Sequence, residues 1–351
     1  MRFSMHRSAL LELLSAPASL AMRAQVDRHA CLLIEVDDSH AKFSANDMVT
    51  GIETSGDAFV EESGKTLVSA KSLFNAIKSL PDQSILMSLE NGKLIVKADR
   101  SVFEMKTLDA SLYDPFPDMK SDGSVTVPAD TLAGLIKSGG YAASKDPDRY
   151  VLMAIRLKVE DGRLIVTSCD SYRIAESEYE VDSEDFCVLA PVHIFDGMPS
   201  TGDITVSANR NQVKISGEGF KAVTRSIEGT YPNTDAVWPS SNGFMADIDR
   251  RLMASVVKRV DSVTGSKGIK LDAEGDGVSI SKKSETEDAH DQISADIHAG
   301  SVLMCVNGRF LTDALSHMTA DLVTIETDVS GLKPMVIKAG ESRSLIMPVR
   351  L

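Results

Sequence analysis

Six times along the chain a strand-like apolar run leads through a turn into a helical pattern, at intervals of about 60 residues. The runs are RFSMHRSALLELL from Arg2, TLVSAKSLFNAIKSL from Thr66 and VTVPADTLAGLIKSG from Val125. They continue with FCVLAPVHIFDGM from Phe186, FMADIDRRLMASVVKRV from Phe244 and VLMCVNGRFLTDAL from Val302. Each carries an apolar pair at i, i+4, the spacing that puts two side chains on one helix face. The pairs are Leu10–Leu14, Leu73–Ile77, Leu132–Ile136, Ile194–Met198, Leu252–Val256 and Leu311–Leu315.

Hairpin patterns fill the intervals. CLLIEVDDSHAKFSAND, IRLKVEDGRLIVTSCD and IKLDAEGDGVSISKKS form one series, each two strand patterns around an Asp-containing turn. ILMSLENGKLIVKADR, DITVSANRNQVKISGEG and LVTIETDVSGLKPMVIKAG form the other, with Asn91-Gly92 as the strongest turn signal. The two series alternate with the helix units. Two helix units and two hairpins take up a third of the 351 residues. The expected fold is therefore α+β, three copies of one domain: 1–122, 123–241 and 242–351. The boundaries fall at the turn-rich clusters Ser121-Asp122-Gly123 and Ser240-Ser241-Asn242-Gly243. Two short helices cannot cover both faces of such a sheet, so they should lie side by side on one face of antiparallel strands.

The chain lacks a run of about 18 apolar residues, so no membrane-spanning helix is expected. The apolar stretch Ala9–Ala21 is broken by Glu12 and Pro17, unlike an export signal. Cys31, Cys169, Cys187 and Cys305 lie far apart, which suits a reducing, cytoplasmic setting. Catalytic signatures are scarce: there is no phosphate loop, no GxSxG and no HExxH. His290 and His298 near Asp291 and Asp296 read as a solvated loop and edge strand, and no metal or other cofactor is expected. Cys169 ends the apolar strand LIVTSC and reads as a buried thiol rather than a nucleophile. A binding role, not an enzyme, is the expectation.

Charge sharpens it. The chain carries 37 basic and 51 acidic residues, a formal net charge of −14. The helical regions run the other way, with twelve basic residues (Arg7, Arg23, Lys71, Lys78, Lys137, Lys145, Arg250, Arg251, Lys258, Arg259, Lys267, Arg309). Seven acidic ones oppose them (Glu12, Asp130, Asp196, Asp247, Asp249, Asp261, Asp313), a net of +5. Bulk attraction to nucleic acid is excluded; a mildly basic helical surface inside an acidic whole is not.

Particular motifs carry a family resemblance along the whole chain. Asp170-Ser-Tyr-Arg-Ile-Ala175 resembles an Asp-Gly-His-Arg-Leu-Ala motif, and Thr230-Tyr-Pro-Asn233 with Val237 and Pro239 resembles a Phe-Pro-Asp/Asn segment. Asn307-Gly-Arg-Phe-Leu311 with Asp313-Ala-Leu315 resembles a last helix, and the end Leu345-Ile-Met-Pro-Val-Arg-Leu351 a Met-Pro-x-Arg-Leu terminus. Together with the three-fold repeat, these resemble the bacterial DNA polymerase III beta subunit family, the sliding clamps.

The resemblance implies a head-to-tail homodimeric ring that encircles double-stranded DNA without reading its sequence. As a processivity factor in DNA replication, it would tether the polymerase III alpha subunit, the clamp loader and repair proteins through short linear peptides. It implies DNA-facing roles for Arg23, Lys71, Lys78, Lys145, Arg149, Tyr150 and Arg309, where weak phosphate contacts permit sliding. It implies a partner-peptide groove from Leu152, Cys169, Ser171, Tyr172, Arg173, Ile174, Pro232, Val237, Phe310, Pro334, Leu345, Met347, Pro348, Val349 and Arg350, mostly apolar as such a groove requires. Phe103 and Met105 of one copy would meet Ser262 and Val263 of the other. Departures stand at Ser171-Tyr172 for Gly-His, Ala236 for Arg, Cys169 for Thr and Ser262 for an aliphatic residue, and an altered peptide preference is the expectation. The alternative is a clamp-like peptide-binding scaffold that does not close on DNA.

Overall fold

The computed structural model describes residues 1–114, 116, 119–239, 243–263 and 268–349. Two compact units emerge, Met1–Asp130 with His193–Ser226 and Thr131–Val192 with Ile227–Leu351. In the first, thirteen antiparallel strands form one continuous sheet. Strand Phe220–Arg225 pairs with Thr50–Asp57, so a hairpin of the middle repeat continues the sheet of the first. The second unit holds a nine-stranded and a four-stranded sheet. There Arg173–Glu180 pairs with Ser342–Ile346, joining strands of the middle and last repeats. Main-chain ladders thus run through the repeat boundaries, because each repeat ends in unpaired backbone donors and acceptors that a neighbouring strand satisfies. Position 122/123 precedes the strand Gly123–Pro128; the other expected boundary lies at residues 240–242, outside the described residues.

All six expected hairpins are present as antiparallel strand pairs. Asn91 and Gly92 both have positive φ (50° and 73°), as do Asp161 and Gly162 (50° and 74°), the backbone of a two-residue type I′ turn.

Among the described residues there are five α-helices: α1 (Arg7–Arg23), α2 (Ala70–Ser79), α3 (Ala129–Gly139), α4 (Arg250–Val260) and α5 (Gly308–His317). α1 packs beside α2 and α4 beside α5. The fourth expected helix is instead a single 3-10 turn, Val192–Phe195. Gly197 follows it with φ +74°, and a Cβ there would lie 2.5 Å from that of Ala16 in α1, so glycine is what lets the chain pass this close. Leu10, Leu14, Leu73, Ile77, Leu311 and Leu315 are fully buried, each worth about 1.5–3 kcal/mol. Leu252 is not: α4 buries Met253, Val256, Val257 and Val260, a face one residue further round, and Leu252 is 46% exposed.

α1 runs past Pro17, further than its pattern suggests. A proline lacks the N–H that would bond the carbonyl four residues back. Here the hydroxyl of Thr54 donates to that carbonyl, Leu13 O, at 2.6 Å.

Two helix cations turn inward. Arg7 donates to Ile77 O and Lys78 O at the end of α2 (3.0 and 2.7 Å). Arg250, at the same place in the last repeat, donates to Leu315 O and Ala320 O around the end of α5 (2.9 and 2.6 Å). Both satisfy orphan carbonyls of a neighbouring helix, so they leave the solvent-facing charge counted in the sequence. Lys267 lies outside the described residues. No helix among the described residues is long and apolar enough to cross a membrane.

Candidate peptide groove and basic surfaces

The second unit builds its site from two parallel rows across adjacent strands. Strands Ala154–Glu160, Arg163–Cys169, Arg173–Glu180 and Ser342–Ile346 are neighbours in that order. Their register sets Arg156 opposite Thr167, Thr167 opposite Glu176, and Glu176 opposite Arg343. Two residues along, on the same face, Cys169 stands opposite Ile174, Ile174 opposite Leu345, and Leu345 opposite Val336. A polar row and an apolar row therefore lie side by side.

The apolar row is the floor of a cleft of about 140 Å³. Leu152 packs beneath it, with Tyr231 and Trp238 against the same cluster. Its lining includes Cys169, Ser171, Tyr172, Arg173, Ile174, Pro232, Val237, Leu345 and Met347, all among the positions the family resemblance implied. Asn233 and Thr234 also line it and were missed, as were Tyr231, Trp238 and Val336 in the supporting cluster. Tyr231, Asn233 and Thr234 were signalled by adjacency to Pro232 and Trp238 by its being the one tryptophan of the chain, whereas Val336 carried no such signal. Burial pushes the Cys169 thiol up, which suits a wall residue rather than a nucleophile.

Phe310 lies instead in the adjoining hollow described below. Pro334, Pro348 and Val349 do not line the cleft. The Pro334 carbonyl accepts from the Thr327 hydroxyl (3.2 Å). Pro348 bridges Val306, and Val349 N donates to Cys305 O at 2.8 Å, so the last described residues run along the edge of strand Val302–Asn307. Arg350 lies outside the described residues.

One end of the cleft is made by the Arg173 motif. The Asp170 carboxylate accepts from Tyr172 N and Arg173 N (3.0 and 3.1 Å), closing an Asx turn. Ser171 inside that turn has φ +76°, the left-handed region that favours glycine. Arg173 Nε donates to Asp170 at 3.0 Å and its Nη1 to Asp313 of α5 at 2.7 Å. The guanidinium covers the ring of Phe310 (4.4 Å) and faces that of Tyr141 (5.6 Å). Burial pushes the Tyr141 phenol up to about 12. The phenol exchanges a hydrogen bond with Ser344 at 2.8 Å.

Beside this end lies a wider hollow of about 630 Å³, lined by Lys145, Arg149 and Arg309 together with Tyr172 and Phe310. Arg149 sits over Tyr172 (5.9 Å) and donates to Asp170 O at 3.3 Å. Tyr150 is 57% exposed. In the first unit Lys71 and Lys78 stand exposed on α2, and Arg23 pairs with Asp196 (3.5 Å) at the end of α1.

Two of the open sheet edges among the described residues bear on assembly. Residues 101–106 of strand Ser101–Leu108 pair with one strand only, and Phe103 and Met105 line a groove between that strand and α2. In the second unit, strand Asp288–Ser294 is the last of the four-stranded sheet. α4 packs against it, and Ser262 and Val263 follow α4. Ser262 is exposed and donates to Arg259 O at 2.6 Å. His298 is bonded to Asp247 at 2.9 Å. No metal-like cluster of His, Cys, Asp and Glu exists among the described residues.

Three family models match in order. They are the N-terminal, central and C-terminal domains of the DNA polymerase III beta subunit, at residues 1–119, 126–233 and 235–350. The beta sliding clamp of Streptomyces coelicolor is 26% identical over all of both chains. That of Staphylococcus aureus is 25% identical over 83% of this chain and 81% of its own. Among solved structures, a Pseudomonas aeruginosa sliding clamp bound to griselimycin matches with TM-score 0.91 at 22% identity over all of both chains. A Bacillus subtilis clamp matches with TM-score 0.89 at 20% identity, over all of this chain and 99% of its own.

Proposed function

The chain belongs to the DNA polymerase III beta subunit family and is a non-catalytic DNA sliding clamp, and on that premise we propose that two copies close head to tail into a ring around duplex DNA. Two edges support this reading, residues 101–106 and strand Asp288–Ser294, each paired on one side only. Strand Ser101–Leu108 of one copy continues the sheet at Asp288–Ser294 of the other, with Phe103 and Met105 packed against Ser262 and Val263. The two edges differ, so the contact is heterologous, and such contacts close into a ring when the rotation allows.

In this reading the repeats are domains 1–122, 123–241 and 242–351, and the protein works in the cytoplasm. Arg23, Lys71, Lys78, Lys145, Arg149, Tyr150 and Arg309 face the duplex. Their exposed side chains make separate, screened phosphate contacts that hold the helix loosely. The cleft over Cys169, Ile174 and Leu345 takes short linear peptides of the polymerase III alpha subunit, the clamp loader and repair proteins. An apolar floor with Arg173 at its end suits an apolar peptide with a few polar groups. Ser171, Tyr172 and Ala236 alter its preference relative to the family.

The test is topological. The protein is loaded onto nicked circular DNA by a clamp loader with ATP, half the sample is linearised, and both are gel-filtered at high salt. Ordinary phosphate binding falls steeply with salt whatever the topology. Retention on the circle and loss from the linear form is expected. Equal retention on both overturns the ring, and absence from both with a working loader favours the scaffold that does not close.

A further inference from the structure

The connector Tyr231–Trp238 forms one wall of the cleft through Pro232, Thr234 and Val237. Yet its main chain makes, among the described residues, only a local hydrogen bond, Val237 N to Thr234 O. Side chains of the polar row hold it instead. Arg156 donates to the Thr234 hydroxyl at 3.1 Å, lies 3.9 Å from the Asp235 carboxylate and faces the Tyr231 ring at 5.5 Å. Arg343 covers the indole of Trp238 at 4.2 Å.

Both guanidiniums are oriented by one carboxylate. Glu176 is 4% exposed and accepts from Arg343 Nε at 2.8 Å, and a second Arg343 nitrogen also bonds it. It accepts from the Thr167 hydroxyl at 3.1 Å, and that hydroxyl in turn accepts from Arg156 at 3.3 Å. A buried carboxylate between two cations is stable only with its lone pairs engaged, so the row has few alternative arrangements.

We propose that Glu176, Arg156 and Arg343 are positioning residues for the cleft: they fix the Tyr231–Trp238 wall, and with it peptide affinity, without lining the cleft. This rests on the peptide-groove reading. The row's fixed register holds the wall within reach of the Cys169–Ile174–Leu345 floor; released, the wall retreats and the peptide loses one side of its contacts.

The experiment uses fluorescence anisotropy with a labelled peptide carrying the clamp-binding segment of a polymerase III alpha subunit. It also uses acrylamide quenching of Trp238, the only tryptophan. Arg343→Met is expected to raise peptide Kd about tenfold and to expose Trp238 to quencher. Arg343→Lys should recover part of the affinity. Trp238→Leu, which removes the ring the guanidinium covers, should raise Kd similarly and decides the matter if Arg343→Met does not fold. Raised quenching with unchanged Kd in Arg343→Met, or unchanged Kd in Trp238→Leu, overturns the positioning role. Val237→Glu separates this from the groove reading, since it places a charge on the wall itself. If it leaves Kd unchanged, the groove reading is wrong; if it abolishes binding while the row variants do not, only the positioning role fails.

Discussion

Arg173 and Asp313 are joined by a 2.7 Å charge-assisted hydrogen bond that ties the turn at the end of one hairpin to α5. The same guanidinium holds Asp170, which organises the turn through two backbone N–H groups. One side chain thus shapes the turn and anchors it to a helix. Replacing Arg173 by Met leaves two carboxylates facing each other without their cation. We expect a loss of about 2 kcal/mol of stability, seen as a lower urea midpoint, and weaker peptide binding. An unchanged midpoint would mean that the turn is held by packing alone.

Ser171 adopts φ +76° where the resembled family motif has glycine. A side chain with a Cβ is strained there by about 1–2 kcal/mol. Ser171→Gly removes the strain but loosens the unfolded chain, so a net gain of roughly 0.5–1 kcal/mol is expected. Thermal melting checks it. A lower melting temperature would show that the serine hydroxyl contributes more than its backbone costs.

Ser262 is exposed at a surface proposed to meet Phe103 and Met105. Ser262→Leu adds apolar area and should tighten the dimer by about 1–2 kcal/mol. Met105→Asp should yield the one-chain mass in sedimentation at concentrations where the parent runs as two. A parent that already sediments as one chain at all concentrations contradicts the ring.

His298 and Asp247 make the pH prediction. The hydrogen bond to Asp247 raises the imidazole above its ordinary 6.5. The Thr324 hydroxyl and then His298 hold Asp247 below its ordinary 3.8. A raised histidine contributes fully below its unfolded value and loses that contribution as pH climbs through the folded one. A lowered carboxylate contributes above its unfolded value and loses it as pH falls through the folded one. The pair therefore holds between these limits and releases first on the alkaline side. NMR titration should place His298 above 6.5 and, in Asp247→Asn, return it toward that value; identical curves would show that the carboxylate does not act on the ring.

Much of the fold and half of the site were legible in residue order. Hairpins announce themselves locally, as Asn91-Gly92 and Asp161-Gly162 do, because positive φ at two successive positions selects those residues. The i, i+4 pairs marked helix faces, since helical periodicity is a property of neighbours in sequence. The shortened fourth helix was not expected from its i, i+4 pair: the chain leaves the turn Val192–Phe195 through Gly197, which lies close against Ala16 from another part of the chain. Nor was the rotated face of α4, where Leu252 reads as core and Met253 is buried instead.

By itself, then, residue order determined the three-fold repeat with its strands and turns, and the family resemblance pointed to the Asp170–Arg173 motif and its apolar neighbours. Tertiary structure alone decided which polar residues became partners. Arg156, Thr167, Glu176 and Arg343 each sit at an ordinary alternating strand position and meet only through cross-strand register. Thr54 finds the carbonyl freed by Pro17 where a strand packs on α1, and Arg7 the end of α2 where the two helices pack. Local conformation depends on near neighbours along the chain, whereas satisfying a buried charge or carbonyl depends on whichever distant strand or helix packing brings within hydrogen-bond reach.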